Sequence, residues 1–277
     1  MHASSPSTSP LPCIGLFDSG VGGLSVLDAV RRRLPGAPLR YVGDVAFSPY
    51  GERSAIEVLA RCNRIVEHLH ANGVRHIVVA CNTATALGID ALRRQWPEIT
   101  FVGIEPGVKP AALGTRNGRI AVMATPATAA SARLRRLIVE FASDVHVHVQ
   151  PCPGLATMIE TGRHAGPELE SVLAPFCDRM RAADVDTVVL GCTHYPFVAA
   201  AIQSLLGDGV TLIDTARAVA ERVDSMLGDR FPSGVDRVEP GLPAPLHVLS
   251  TGASAPMSDL LRKCLGASEV RVQSLLI

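Results

Sequence analysis

The stretch His76-Ile77-Val78-Val79-Ala80-Cys81-Asn82-Thr83-Ala84 decides the fold. Its apolar, partly β-branched run over His76–Ala80 predicts a short buried strand. After Cys81 comes a short polar residue suited to capping, and then a helical pattern over Thr83–Gln95. A strand that turns through polar residues into a helix is the repeating unit of a parallel α/β sheet. The same unit recurs at Thr187-Val188-Val189-Leu190-Gly191-Cys192-Thr193-His194-Tyr195-Pro196, which places Cys192 111 residues after Cys81.

Outward from these two stretches the alternation continues. Strands are expected at Ile14–Phe17, Leu39–Val42 and Thr100–Ile104 in the first half, and at Arg119–Met123, Val145–Val149, Thr187–Leu190 and Val210–Ile213 in the second. Helical patterns separate them: Gly23–Leu34, Ser54–Asn72, Thr83–Gln95, Ala129–Phe141, Glu168–Ala182 and Ala216–Leu227. The stretch from Ile14 (IGLFDSG) faces the one from Ile120 (IAVMATPAT), and FVGIEP around Ile104 faces TLIDTA around Ile213. The order of elements is the same each time, which indicates a duplication. The expected fold class is α/β: two pseudo-symmetric, open, parallel-sheet units of four strands each, facing one cleft. Ligands bind outside the carboxyl ends of such strands, so Cys81 and Cys192 would reach one ligand from opposite sides.

Composition narrows the function classes. The chain has 277 residues, 47% of them hydrophobic, so it can build a sizeable core. Lys+Arg and Asp+Glu both number 26, and aromatic residues make up 4%. A zero net charge and few stacking rings argue against nucleic acid as a partner. Seven cysteines, with no Cys-x-x-Cys pair, fit free thiols in a reducing compartment. The opening residues, MHASSPSTSPLPC, have no charged and apolar leader pattern and are expected to form a disordered tail over 1–12. No apolar run reaches membrane-spanning length, so the expectation is a cytoplasmic protein with no membrane partner.

The two cysteines carry the chemistry. Each follows a strand and precedes a polar cap, close to a helix N-terminus whose partial positive charge favours thiolate. Acyl transfer needs one nucleophilic thiol rather than two. A Cys-x5-Arg phosphatase loop is absent, since Leu87 and Val198 stand at the required positions. Inversion of a stereocentre does want two acid/base groups, one removing a proton from one face and one delivering a proton to the other.

Other residues stand beside them as candidates. Asp18-Ser19-Gly20-Val21-Gly22-Gly23 half-resembles a dinucleotide fingerprint, with Asp44 where a ribose-binding acid would sit. The third Gly of that fingerprint is missing, and Asp18 sets a carboxylate beside the supposed phosphate. Ser48-Pro49-Tyr50-Gly51 is a turn whose N–H groups and Tyr hydroxyl are suited to a carboxylate, and Thr125-Pro126-Ala127-Thr128 offers similar donors. His146 and His148 share a strand face without an acidic or thiol companion, so no metal is expected. Only Lys109 and Lys263 are lysines, and Lys109 is the only well-placed candidate for a pyridoxal Schiff base. In the turn Pro106-Gly107-Val108-Lys109-Pro110 it reads instead as a hinge or surface residue. A two-lobed solute-binding module and a nicotinamide oxidoreductase are the competing function classes.

Taken together, the motifs resemble the glutamate racemase family of the cofactor-independent aspartate/glutamate racemase superfamily. The matches are DSGVGGLSVL from Asp18, GDVAFSPYG from Gly43, ACNTATA from Ala80, GIEPGVKPA from Gly103, ATPAT from Ala124, Ile159-Glu160-Thr161-Gly162, LGCTHYP from Leu190 and IDTA from Ile213. The CTHYP form is closer to glutamate than to aspartate enzymes, and an aspartate racemase is the alternative. The resemblance implies cofactor-free interconversion of L- and D-glutamate that supplies D-glutamate for peptidoglycan. It implies that Cys81 deprotonates D-glutamate and Cys192 deprotonates L-glutamate. Asp18 and His194 would assist, with Glu160 on the His194 side. Ser19, Tyr50, Gly51, Asn82, Thr83, Thr128 and Thr193, with Asp18 and His194, would hold the substrate. It further implies a homodimer and two domains, 13–105 plus 214–277 and 106–213, the chain tail returning to complete the first.

Overall fold

The computed structural model describes residues 12–227, 244–265 and 270–277. Residues 1–11 of the expected tail, and the Pro/Gly-rich stretch 228–243, lie outside them. Strands and helices alternate from the start: β1 (Ile14–Asp18), α1 (Leu24–Arg33), β2 (Leu39–Gly43), α2 (Ala55–Ala71), β3 (His76–Val79), α3 (Asn82–Gln95) and β4 (Thr100–Gly103). A second series follows: α4 (Val108–Gly114), β5 (Arg119–Ala124), α5 (Pro126–Ala129), α6 (Ala132–Phe141), β6 (His146–Pro151), α7 (Leu155–Glu160), α8 (Pro167–Ala182), β7 (Thr187–Leu190), α9 (Ala199–Leu206) and β8 (Thr211–Ile213). The chain then adds α10 (Ala216–Leu227), β9 (Leu246–Ser250), α11 (Ala255–Leu265) and β10 (Val272–Ser274).

The strands form two parallel sheets, ordered β10-β9-β2-β1-β3-β4 and β6-β5-β7-β8. The core order of the first sheet, second-first-third-fourth, is repeated by the whole of the second. Cys81 and Cys192 therefore follow equivalent strands, β3 and β7, as the repeat predicts. The first sheet is larger than the expected four strands, because β9 pairs with β2 and carries β10 on its outer edge. Those two strands escape sequence patterning for a physical reason. β10 is three residues long and partly exposed, and β9 follows a stretch dense in Pro and Gly.

Parallel sheets covered on both faces need apolar residues on both sides of each strand. All five residues of β1 are buried. Leu16 packs under α1 and α10 with Leu24, Leu27 and Val219, whereas Phe17 faces α2 and α3 with Val58, Ile65 and Leu92. In the second sheet, Met123 and Leu190 face α7 and α8, while Val122 and Val189 face α4 and α6. Each fully buried Leu-sized side chain contributes about 1.5–3 kcal/mol relative to exposure. The two expected crossovers lie side by side: a Cβ on Gly107 would stand 3.0 Å from the side chains of both Ile213 and Thr215.

Local caps set where helices begin. Ser54 Oγ accepts the Glu57 N–H at 3.3 Å, and the Glu57 carboxylate accepts the Ser54 N–H at 3.0 Å, a complete capping box on α2. The helical pattern expected over Ala129–Phe141 is divided in two, because Ser131 Oγ accepts the Leu134 N–H and starts α6 afresh. The preceding turn forms the one-turn α5, with Thr125 as its cap and Pro126 in the first helical position.

Candidate active site

The carboxyl ends of both sheets meet. Asp18 ends β1, Cys81 follows β3 and caps α3, Thr125 and Thr128 follow β5, Glu160 ends α7, and Cys192 to His194 follow β7. Asp18, Ser19, Cys81, Asn82, Thr83, Thr128, Glu160, Cys192, Thr193 and His194 are all buried in this region.

On the first-half side, Cys81 Sγ accepts the Ala84 N–H at 3.4 Å and lies 3.8 Å from Ser19 Oγ. Burial pushes the Cys81 thiol well above its ordinary range, and the nearby Asp18 charge adds to the effect. Asp18 Oδ2 accepts N–H bonds from Gly20 (3.2 Å) and Gly23 (3.0 Å). Burial raises the Asp18 carboxyl too, against the lowering field of His194.

On the second-half side a relay is formed. Cys192 Sγ lies 3.7 Å from His194 Nδ1, and His194 Nε2 lies 2.6 Å from Glu160 Oε2. Burial alone would lower the His194 pKa. Hydrogen bonds to Cys192 and Glu160 outweigh it and hold His194 well above 6.5, as an imidazolium. A cation beside one sulfur and a carboxylate beside the other make the two thiol environments unlike.

The halves interlock. The Val21 N–H donates to both oxygens of Glu160, at 3.2 and 2.9 Å. Thr193 Oγ1 donates to Asp18 Oδ1 at 3.4 Å. Thr83 Oγ1 lies 2.9 Å from Thr125 Oγ1 and 3.4 Å from Thr128 Oγ1. At the outer rim, Arg133 of α6 pairs with Asp90 and Glu105 of the first half. The glycine loop is explained by this closeness. A Cβ on Gly20 would collide with the Glu160 carboxylate, and one on Gly22 with Thr193 and His194. Its N–H groups at residues 20, 21 and 23 are taken by Asp18 and Glu160, so no dinucleotide phosphate cradle is left.

One expectation, a Tyr50 hydroxyl free for a carboxylate, needs adjustment. The Tyr50 hydroxyl donates to Asp44 Oδ2 at 2.7 Å, so its proton is committed within the protein. Gly51 instead presses its backbone against Thr125. Asp44 is no ribose ligand: its carboxylate is enclosed by Tyr50, Arg61 and Thr251. Sequence reasoning passed over Tyr41, whose hydroxyl donates to the Gly20 carbonyl at 2.7 Å, because alternation in β2 marks it as core. It also passed over Cys152, a thiol pushed up to about 12 chiefly by burial and next by the nearby Cys192. No local signal distinguishes Cys152 from a packing residue.

Asn82 brings uncommitted polar groups to the site. It is 3% exposed, and neither its amide nitrogen nor its carbonyl oxygen has a hydrogen-bond partner. Buried polar groups are nearly always paired. Among the described residues no cluster suited to a metal ion occurs, and no helix is long and apolar enough to cross a membrane.

Comparison with known proteins places this geometry. The profile of the Asp/Glu/hydantoin racemase family matches residues 24–223. A glutamate racemase of Pseudomonas syringae is 47% identical over 214 residues, 77% of this chain and 78% of that protein. The crystal structure of a glutamate racemase isoform from Bacillus anthracis superposes with a TM-score of 0.84 at 31% identity, over 96% of this chain and 98% of the other. The Escherichia coli glutamate racemase in complex with L-glutamate and the activator UDP-MurNAc-Ala superposes with a TM-score of 0.80 at 30% identity, again over 96% and 98%.

Proposed function

The chain belongs to the Asp/Glu/hydantoin racemase family, and from that premise we propose that it is the enzyme that interconverts L- and D-glutamate by two-base proton transfer without a cofactor. The observation that carries the reading is the pair of buried thiols, Cys81 and Cys192. They stand after equivalent strands of the two sheets, one beside Asp18 and the other beside a His194–Glu160 pair.

An α-proton of an amino acid is a weak acid, so the step needs a base on one face, an acid on the other and donors for the developing charge. Cys81 keeps its proton because burial and Asp18 oppose its ionisation. It is the acid of the resting site. Cys192 as thiolate takes the α-proton of L-glutamate: an S–H bond forms, the Cα–H bond breaks, and the electron pair is delocalised into the α-carboxylate. Cys81 then gives its proton to the opposite face of Cα, forming D-glutamate and leaving a Cys81 thiolate. His194, as imidazolium, balances the charge on Cys192 sulfur, and Glu160 holds the imidazolium. The reverse direction exchanges the two roles. General acid/base assistance of this kind contributes about 10²–10⁴-fold.

Asn82, Thr83, Thr128, Thr193, Ser19 and the backbone at Tyr50 and Gly51 supply donors for the substrate carboxylates, and Asp18 faces its ammonium. With these groups buried, admission of substrate requires the halves to part. The adjoining crossovers at 104–107 and 213–215 act as the hinge between domains 13–105 plus 214–277 and 106–213. D-glutamate made in the cytoplasm by such an enzyme supplies peptidoglycan synthesis, and a homodimer is the expected assembly.

The test is proton NMR of the purified protein with L-glutamate in D2O, without added cofactor, alongside chiral analysis. Loss of the α-proton signal with appearance of D-glutamate is expected, and Cys81→Ala and Cys192→Ala each abolish net inversion. A signal that persists for both glutamate and aspartate overturns the reading.

A further inference from the structure

A second buried constellation lies behind the site, at the carboxyl end of β2. Asp44 is fully buried, yet its carboxylate accepts four hydrogen bonds. Arg61 of α2 donates through Nε to Oδ2 and through Nη2 to Oδ1, both at 2.7 Å. The Tyr50 hydroxyl donates to Oδ2 and the Thr251 hydroxyl to Oδ1, again both at 2.7 Å. Arg61 also donates through Nη1 to the main-chain oxygen of Ile277 at 2.6 Å, and its guanidinium lies over the Phe47 ring at 5.7 Å. Thr251 in turn accepts the Ala46 N–H at 3.1 Å. The donors to Asp44 thus come from three separate parts of the chain.

Burying a charged pair costs desolvation, and such pairs are weak sources of net stability. What this pair does is hold geometry. The Asp44 N–H donates to the Asp18 carbonyl at 3.0 Å, so the node is bonded directly to the main chain of a site residue. Through Tyr50 it fixes the turn that sets Gly51 against Thr125 of the opposite half. The bidentate fork of Arg61 has the planar match to a carboxylate that a lysine lacks.

We propose that Asp44 and Arg61 are positioning residues of the site: their ion pair, with Asp44 buried and Arg61 half-buried, holds the 44–53 loop, and with it the Tyr50–Gly51 backbone and the Asp18 main chain, in the geometry that receives the substrate's carboxylate. The kinetic form of the proposal rests on the racemase reading; its structural form does not.

The experiment is Arg61→Ala in the full chain, assayed for glutamate racemisation and for amide hydrogen exchange of the 44–53 segment. The expected result is a KM raised about tenfold, with kcat within about threefold of the parent, because binding geometry rather than proton transfer is lost. Exchange in 44–53 rises while that of β5 does not. Added guanidinium ion reverses both changes, and methylammonium reverses neither. An unchanged KM, or a loss of activity that guanidinium does not repair, overturns the proposal. Should Arg61→Ala fail to fold, Thr251→Val removes a single donor: a KM raised about threefold supports the proposal, and an unaltered KM overturns it. If the parent protein does not racemise glutamate, the racemase reading fails on its own, and the exchange measurement still decides the positioning role.

Discussion

The backbone N–H of Val21 donates across the cleft to Glu160, 2.9 Å from Oε2 and 3.2 Å from Oε1. A loop of the first half and a helix end of the second are joined by one carboxylate. The same carboxylate holds His194. Closing the cleft and setting the charge beside Cys192 are therefore one event.

Glu160→Gln separates these duties. The neutral amide still accepts from Val21 but no longer sustains the imidazolium, so the His194 pKa falls. We expect kcat to drop about tenfold and the alkaline limb of the rate profile to move to lower pH. Stability follows the same sign. A raised histidine pKa contributes stability that is complete below 6.5 and is lost as pH rises through the folded value. The melting-temperature gap between parent and variant is thus widest in mild acid. A gap that widens toward alkaline pH would refute the assignment.

Gly22→Ala tests the interlock. Its Cβ would stand 2.5 Å from His194 Nδ1, a separation real contacts do not tolerate. The fold of each half survives, since the intruding atom meets side chains of the other half rather than its own core. Racemisation falls by about 10²-fold or more because the thiols no longer converge. Circular dichroism and kcat/KM measured together check it.

Asn82→Ala distinguishes a ligand site from a structural one. Its unpartnered amide costs the free protein desolvation energy. Removal leaves the melting temperature unchanged or higher, while KM rises at least about tenfold. A clear loss of stability with normal KM would show that Asn82 serves packing alone.

Asp186 provides a control far from the cleft, at the amino end of β7. Its carboxylate accepts from Thr115 Oγ1 and the Arg116 N–H at 2.6 Å, from the Asn117 N–H at 2.8 Å and from Thr187 Oγ1 at 2.9 Å. Desolvation would raise its pKa, yet these four bonds push it down to about 2. A depressed carboxyl contributes stability present above 3.8 and lost as pH falls through about 2. Asp186→Asn should lose about 1–3 kcal/mol at neutral pH, with the difference fading across that acid window and kcat/KM within about twofold of the parent. Denaturant melts at pH 7 and pH 2 read it out.

The amino-acid sequence by itself carries the strand-turn-helix unit, its repetition and the two thiols at matching strand ends. These signals are local: β-branched runs, caps such as Ser54 with Glu57, and glycines at turns are legible within a dozen residues. The family motifs extend that reading to the individual site residues. Three things were settled only by tertiary packing, two of them by the docking of the halves and one, the Tyr50 hydroxyl, within the first half. Glu160 looks solvated in isolation, and its partners Val21 and His194 lie 139 and 34 residues away. The Tyr50 hydroxyl looks free to bind a ligand, and Asp44 captures it. The glycine loop looks like a phosphate cradle, and side chains of the other half fill it. Periodicity and capping act along the chain, whereas which buried donor meets which acceptor depends on the distance between surfaces far apart in sequence. For Val21 against Glu160 and for the glycine loop against His194, only the docking of the two sheets sets that distance.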